Sequence, residues 1–347
     1  MRSWWPRLLA AVRDLSPGYL ALVMATGIVS KAVHLDGAVS LGGFLLGVGI
    51  VAYILLVAGY GWRIAAYRRR FLADVRDPGR AFAFFTFVAA SDVLAALLAG
   101  DGHTAAAVAL LALGGAGWLL LCYGLPLLIR RSGPRPVLAE ANGTWFDLAV
   151  GTQSIAVAAT SLRPVHRAVA ALAVVCWAIG VVLYLVIAGL LVSALLQYPV
   201  RPAELTAPYW IFMGATAITA LAGAQILRLP ADALVAAVRQ VVSGVSVLLW
   251  AFGTWLVPLL LAAGGWRHLH HRVPLRYEPG LWSIVFPVGM YGVASHELGM
   301  AIGVSWLVTL GRYEAWLALA VWAIVAAAMA GTLLVRWPSA VRPDGRE

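Results

Sequence analysis

A chain of 347 residues that is 62 % apolar and only 12 % charged has too little polar surface for a soluble domain. Its apolar residues fall in runs of the roughly 20 residues that a helix needs to cross a bilayer. The formal charge of +10 would suit a nucleic-acid partner, but its distribution along the chain excludes that, and two cysteines inside different apolar runs, Cys122 and Cys176, exclude a disulfide framework or thiolate metal centre and read as packing residues.

In chain order, residues 1–16 form an N-terminal segment without the apolar core and cleavage site of a signal peptide. Ten spans follow, at 18–35, 40–62, 82–99, 104–128, 144–161, 167–196, 208–227, 234–264, 280–298 and 313–336, and 337–347 is a C-terminal tail. Sorting the basic residues by loop puts 19 on the face that carries both termini and 6 on the other, so the positive-inside rule places both termini in the cytoplasm. The charge is a topology signal. The expected class is an all-α integral membrane domain over residues 17–336.

A dipeptide that starts helices recurs before every odd-numbered span: Pro17-Gly18, Pro78-Gly79, Asn142-Gly143, Ala207-Pro208 and Pro279-Gly280. Counted from Pro17, Pro78, Asn142, Pro208 and Pro279 the spacings are 61, 64, 66 and 71 residues, and an aromatic follows each time, at Tyr19, Phe82, Trp145, Tyr209 and Trp282. Each unit is one out-and-back helical hairpin, repeated five times. The odd spans carry the small and polar residues (Thr26, Ser30, Ser91, Asp92, Thr152, Gln153, Thr216, Gln225), whereas the even spans are Leu, Val, Ala and Trp. Polar atoms in a bilayer face protein or a watery cavity, so the odd spans form an inner ring shielded by the even ones. In the fifth span Asp147, Gly151, Ser154, Ala158 and Ser161 share one helical face, which is either a conduit lining or a close helix contact.

Enzymatic motifs are absent. No phosphate loop exists, the single lysine being Lys31 followed by Ala32. His268, His270 and His271 sit in an Arg-rich loop without acidic or cysteine partners, so no metal site is assigned. A membrane haem or quinone protein using His103, His166 and His296 is the alternative from another class, weakened because the three lie on different hairpins; no cofactor is expected.

What remains is attraction for anions. Five parallel helix N-termini, each worth about +0.5 charge, would ring the inner mouth of a central conduit, and weak, spread attraction suits permeation. Lys31 stands near the other mouth, either serving it or snorkelling to the interface. In the ninth span Pro287 removes the hydrogen bond to the Ser283 carbonyl, and its neighbour Phe286 shares a face with Met290, Val293 and Glu297. On residues alone, Phe286 is either a pore plug or an ordinary packed phenylalanine.

The segments Ser16 to Ser30, Asn142 to Ala156, Tyr209 to Gly223 and Trp282 to Ala294 together resemble the tellurite-resistance/dicarboxylate transporter family, which includes the plant slow anion channels and the malate permeases. The resemblance implies ten helices in five hairpins around a central pore within each protomer, assembly as a homotrimer, and Phe286 as the pore-occluding gate, held by Trp282, Pro287 and Met290. It implies transport of small anions, with C4-dicarboxylates such as malate expected, and a passive chloride or nitrate channel or a sulfite or tellurite exporter as alternatives. The expected path is lined by Thr26, Ser30, Asp147, Gly151, Ser154, Thr216, Trp282 and Met290. Asp92 and Asp147 depart from a pure anion-channel pattern and are the candidate sites for proton coupling; Lys31, His296 and Glu297 are assigned to the outer mouth. With 24 Arg to one Lys, the chain reads as the product of a GC-rich genome and hence as a bacterial plasma-membrane protein.

Overall fold

The computed structural model describes residues 5–130, 137–230 and 233–336. Arg2, Arg131, Arg135, Arg342 and Arg346 of the charge count, and the tail 337–347, lie outside the described residues, as do the side chains of Arg7 and Arg336. Every regular element among the described residues is helical: α1 Trp5–Arg13, α2 Ala21–Leu35, α3 Val39–Ala66, α4 Arg68–Arg76, α5 Pro78–Ala81, α6 Thr86–Gly100, α7 Thr104–Arg130, α8 Asp147–Ser161, α9 Arg167–Gln197, α10 Ile211–Leu227, α11 Ala233–Gly265, α12 Trp282–Ile302 and α13 Ser305–Arg336.

Each repeated dipeptide opens a tight turn ahead of an inner helix. Short 3-10 turns span Pro17–Leu20, Phe82–Phe85, Gly143–Phe146, Ala207–Trp210 and Pro279–Leu281, immediately before α2, α6, α8, α10 and α12. Proline suits this position because its missing N–H would have had no partner in a first turn. Side chains cap two of these starts: Asn142 Oδ1 accepts from the Thr144 N–H at 2.9 Å, and Asp77, just before Pro78, accepts from the Gly79 N–H at 2.9 Å ahead of α5. The five turns touch one another in a closed cycle, so the inner helices are parallel and start on one face. Gly143 is required there, since a Cβ would overlap the Pro208 carbonyl.

Five consecutive helix pairs pack as hairpins: α2 with α3, α6 with α7, α8 with α9, α10 with α11 and α12 with α13. The first members close a ring, α2 to α6 to α8 to α10 to α12 and back to α2. Each second member also leans on the first member of the next hairpin: α3 on α6, α7 on α8, α9 on α10, α11 on α12, and α13 on α2. The ring therefore closes by the same contact it repeats. Among the described residues, eight helices are long and apolar enough to cross a membrane; the inner ones among them are 72–83 % buried over their apolar windows and the outer ones only 11–28 %. Outer side chains such as Leu120, Leu248 and Ile324 are exposed, the surface that hydrocarbon accepts. The eight do not include α8 and α12, which complete the inner ring.

The structure departs from the sequence expectation in several places, α3 and α12 each running four residues past their expected ends, to Ala66 and Ile302. The last helix begins at Ser305, eight residues before position 313, because Gly303 at φ 75° turns the chain in two residues and Arg312 is held by Asp36 at 3.5 Å instead of ending the helix. The Arg-rich loop at 63–80 contains the helix α4, whose Asp74 is buried between Arg63 and Arg80 at 2.6 Å each.

Candidate functional site

Along the axis of the inner ring the five helices present matching layers. A cavity of about 50 Å³, measured as the space open to the centre of a water molecule, has walls from all five: Ile28 and Lys31 of α2, Val93 and Ala96 of α6, Ser154, Val157 and Ser161 of α8, Ile218, Leu221 and Gln225 of α10, Met290 and Val293 of α12. In α2, α6, α8 and α10 these are the positions seven, ten and fourteen past the first helical residue, one stripe at 3.6-residue spacing. The stripe of α12 runs one residue later. The wall is mostly apolar, with a few polar groups toward the ends of the helices.

On the side of the helix starts this cavity stops at the layer of Ile28, Val93, Ser154, Ile218 and Met290. One turn further, the register brings Met24, Ala89, Val150, Gly214 and Phe286 to the same level, all buried, Phe286 at 0 % exposure. Phe286 is the one aromatic side chain in that layer. Gly214 lets the two helices approach there: a Cβ on it would lie 2.8 Å from Pro287 Cγ, so α10 and α12 pack closely at the residue next to Phe286. Pro287 also leaves the Ser283 carbonyl without its helical partner.

The structure distributes the residues expected to line the path as follows. Ser154 and Met290 lie on the cavity wall. Thr26 and Ser30 turn away from it: Thr26 Oγ1 accepts a hydrogen bond from Trp322 Nε1 of α13 at 3.0 Å, and Ser30 Oγ donates to the Gly42 carbonyl of α3 at 2.7 Å. Thr216 faces Gly253 of α11 and donates to its own helix at the Met213 carbonyl, 2.6 Å away. Gly151 packs against Phe85 of the turn before α6 and Val88 of α6. Trp282 borders a membrane-side groove beside Thr26 and Trp322, with its Nε1 donating to Tyr277 Oη at 3.2 Å. The physical reason is angular. Thr26, Thr152 and Thr216 stand five past their helix starts, about 200° from the stripe at seven, and point at the outer helices.

The two carboxylates separate. Asp92 Oδ2 accepts from Ser154 Oγ at 2.8 Å, while its Oδ1 lies against Gly114 of α7 with no partner among the described residues. It sits behind the cavity wall. Asp147 opens α8, 1 % exposed, and its Oδ1 also lacks a partner among the described residues. At the far end Glu297 pairs with Arg228, and His296 packs on Gly311 of α13 beside Asp36 and Arg312; neither is on the cavity wall. Lys31 is, and among the described residues no acidic group pairs with it. No cluster of three metal-ligating side chains occurs among the described residues; His268 bonds the Val273 carbonyl through Nδ1 at 2.8 Å.

Sequence reasoning missed one feature. Every outer helix offers one aromatic hydrogen-bonding group to the next inner helix: Tyr53 Oη to Ser91 at 2.7 Å, Trp118 Nε1 to Thr152 at 2.7 Å, Trp177 Nε1 to the Thr219 carbonyl at 3.1 Å, Trp250 Nε1 to Ser295 at 2.8 Å and Trp322 Nε1 to Thr26. A buried indole N–H needs an acceptor, and small polar residues at helix contacts supply it. Aromatics recurring once per outer span carried the signal.

Comparison with known proteins finds membrane proteins. An uncharacterized membrane protein of Mycobacterium tuberculosis, in strains CDC 1551 and H37Rv, is 55 % identical over 148 residues, which cover 42 % of this chain and 75 % of that protein. An uncharacterized transporter of Methanocaldococcus jannaschii is 22 % identical over 337 residues, 91 % of this chain and 92 % of that protein. The family model described as voltage-dependent anion channel matches residues 14–330. That segment holds the cavity and the five hairpins apart from the last residues of α13, and the chain belongs to the voltage-dependent anion channel family, the tellurite-resistance/dicarboxylate transporter group whose members are membrane channels and transporters.

Proposed function

We propose that this chain is an anion-conducting pore of a bacterial plasma membrane, with ten membrane-crossing helices, both termini in the cytoplasm, one pathway along the axis of each inner ring, and Phe286 as the side chain that closes it. Three such protomers form the assembly. The observation that carries the reading is the end of the axial cavity at Met290, with the buried Phe286 layer next along the same axis. The parallel helix starts add a collar of positive dipole ends on the cytoplasmic side.

Small anions passing without a coupled proton fit the site better than C4-dicarboxylates moving with one. Asp92 is screened from the cavity by Ser154, and the wall has no second free cation for a second carboxylate. Malate transport rests on the family resemblance, and sulfite or tellurite export would use the same path. Asp147, three residues before Val150 of the closed layer, is the remaining candidate for a proton site.

The test is anion flux in liposomes holding the purified chain. Replacing Phe286 by alanine should raise flux at least about tenfold, the change expected when a steric block is removed from an otherwise continuous path. Flux equal to that of the parent chain would remove Phe286 from the gate.

A further inference from the structure

We infer that the far half of the axial cavity is a binding site for one small monovalent anion, held between the Lys31 ammonium and the Gln225 carboxamide, and that this site makes the pathway favour monovalent over divalent anions. The inference rests on the pore reading and names its substrate class.

Charge is the first ground. Among the fourteen residues that wall the cavity, Lys31 is the one that ionises. No carboxylate among the described residues bonds it, although Asp101 borders an adjoining pocket that Lys31 and His34 also line. The neighbouring Arg228 is committed to Glu297, and Arg312 to Asp36 at 3.5 Å. One unpaired ammonium therefore faces a space walled mostly by apolar side chains, among them Val93, Leu97, Val157, Ile218, Leu221 and Val293. A dianion there would keep one charge uncompensated against apolar side chains, which is costly; a monoanion would not.

Donor geometry is the second. Thr160 Oγ1 donates to Gln225 Oε1 at 2.6 Å, so the carbonyl edge of that amide is occupied and its two N–H donors are the edge left for the cavity. The hydroxyls of Ser154 and Ser161 are already committed to Asp92 at 2.8 Å and to the Val157 carbonyl at 2.8 Å. Lys31 and Gln225 thus stand on α2 and α10 as the donors with free hydrogens, a charged one and a neutral one, as an oxyanion or a halide requires.

Size is the third. About 50 Å³ of open space holds a few waters at roughly 10–15 Å³ each. Chloride or nitrate fits by displacing them.

The experiment uses the full chain in liposomes, with and without Phe286→Ala so that the gate does not limit conduction, and compares nitrate and chloride with malate and sulfate. Nitrate should pass at least about tenfold faster than malate, and Lys31→Gln should cut nitrate flux about tenfold and bring the ratio near one, since a hydrogen bond to a charged group carries about that factor. Lys31→Arg should keep the preference and Gln225→Leu should weaken it. A second readout is the rise in thermal midpoint of the purified chain on adding nitrate, expected for the parent and lost in Lys31→Gln. Malate passing as fast as nitrate, or a ratio unchanged in Lys31→Gln, overturns the site while leaving the pore. Nitrate stabilisation that needs Lys31, without anion flux even in Phe286→Ala, keeps the site and removes the pore.

Discussion

Trp322, in the last helix, donates its indole N–H to Thr26 of the first inner helix at 3.0 Å, closing between the chain's two ends the contact that four other outer helices make with the next inner helix. The bond joins residues 296 apart in sequence and so ties the ring where no loop does. Trp322→Phe keeps most of the buried area and deletes the donor. It should cost about 0.5–1.5 kcal/mol. Thr26→Val should cost a similar amount, and the double variant little more than either alone, because both remove one bond. Trp322→Phe with Trp118→Phe, two separate bonds, should add. Equilibrium unfolding in detergent checks both sums.

The repeat was legible because proline, asparagine and glycine mark helix starts by chemistry that needs no tertiary context; Pro17 and Pro279 sit where their missing N–H has no helical partner. The division into polar inner and apolar outer helices was legible for the same local reason. The direction of the polar groups was not. Thr26 and Ile28 are two residues apart and face opposite ways, and only the partner helix decides which is the wall. The acceptors answer to Tyr53, Trp118, Trp177, Trp250 and Trp322, spaced 65, 59, 73 and 72 residues apart, and that second repeat, read against the first, would have turned the threonines outward. The early start of α13 stayed hidden because Arg312 looks like a loop residue until Asp36, 276 positions away, is brought beside it.

Gly143 is the tightest point of the cycle of turns that seats the inner helices. A methyl group there meets the Pro208 carbonyl, backbone on both sides, so neither partner can rotate away. Gly143→Ala should lower stability by about 1–3 kcal/mol or more, seen as a lower thermal midpoint. Gly244→Ala, on the outer helix α11 with open space around it, should be neutral or slightly stabilising, since alanine is the better helix former by about 1 kcal/mol.

Asp74 holds Arg63 and Arg80 at 2.6 Å each, and both Asp74 and Arg63 are buried. Asp74→Ala leaves the Arg63 guanidinium buried without its counter-ion and should cost about 3–5 kcal/mol. Asp14 with Arg13 and Arg70 is an exposed set at 2.8 and 2.9 Å, and Arg70→Ala should change stability by less than about 1 kcal/mol. The hydrogen bond from Arg13 holds the Asp14 carboxyl below its usual value. Its small contribution is therefore present at neutral pH and is lost only as pH falls below about 4, through the lowered folded value. Unfolding at two salt concentrations separates the two sets, since only the exposed one weakens with salt.

Proton coupling has a sharp test in Asp92, whose carboxylate accepts from Ser154 at 2.8 Å and whose other oxygen rests against Gly114. Asn at this position keeps an acceptor for Ser154 and removes the titrating oxygen. If anions pass as an uncoupled current, Asp92→Asn should leave the response to an imposed pH gradient unchanged and alter flux by less than about threefold, the range a retained hydrogen bond allows. Gly114→Ala, which would bring a methyl group to 2.5 Å from Asp92 Oδ1, should instead shift α7 from α6 and lower stability by about 1–3 kcal/mol. Asp147→Asn is the contrasting variant, because Asp147 opens α8 one turn before the Val150 and Phe286 layer. Anion accumulation driven by a pH gradient in the parent chain, abolished by Asp92→Asn and retained in Asp147→Asn, would replace the uncoupled pore by a carrier with its proton held behind Ser154.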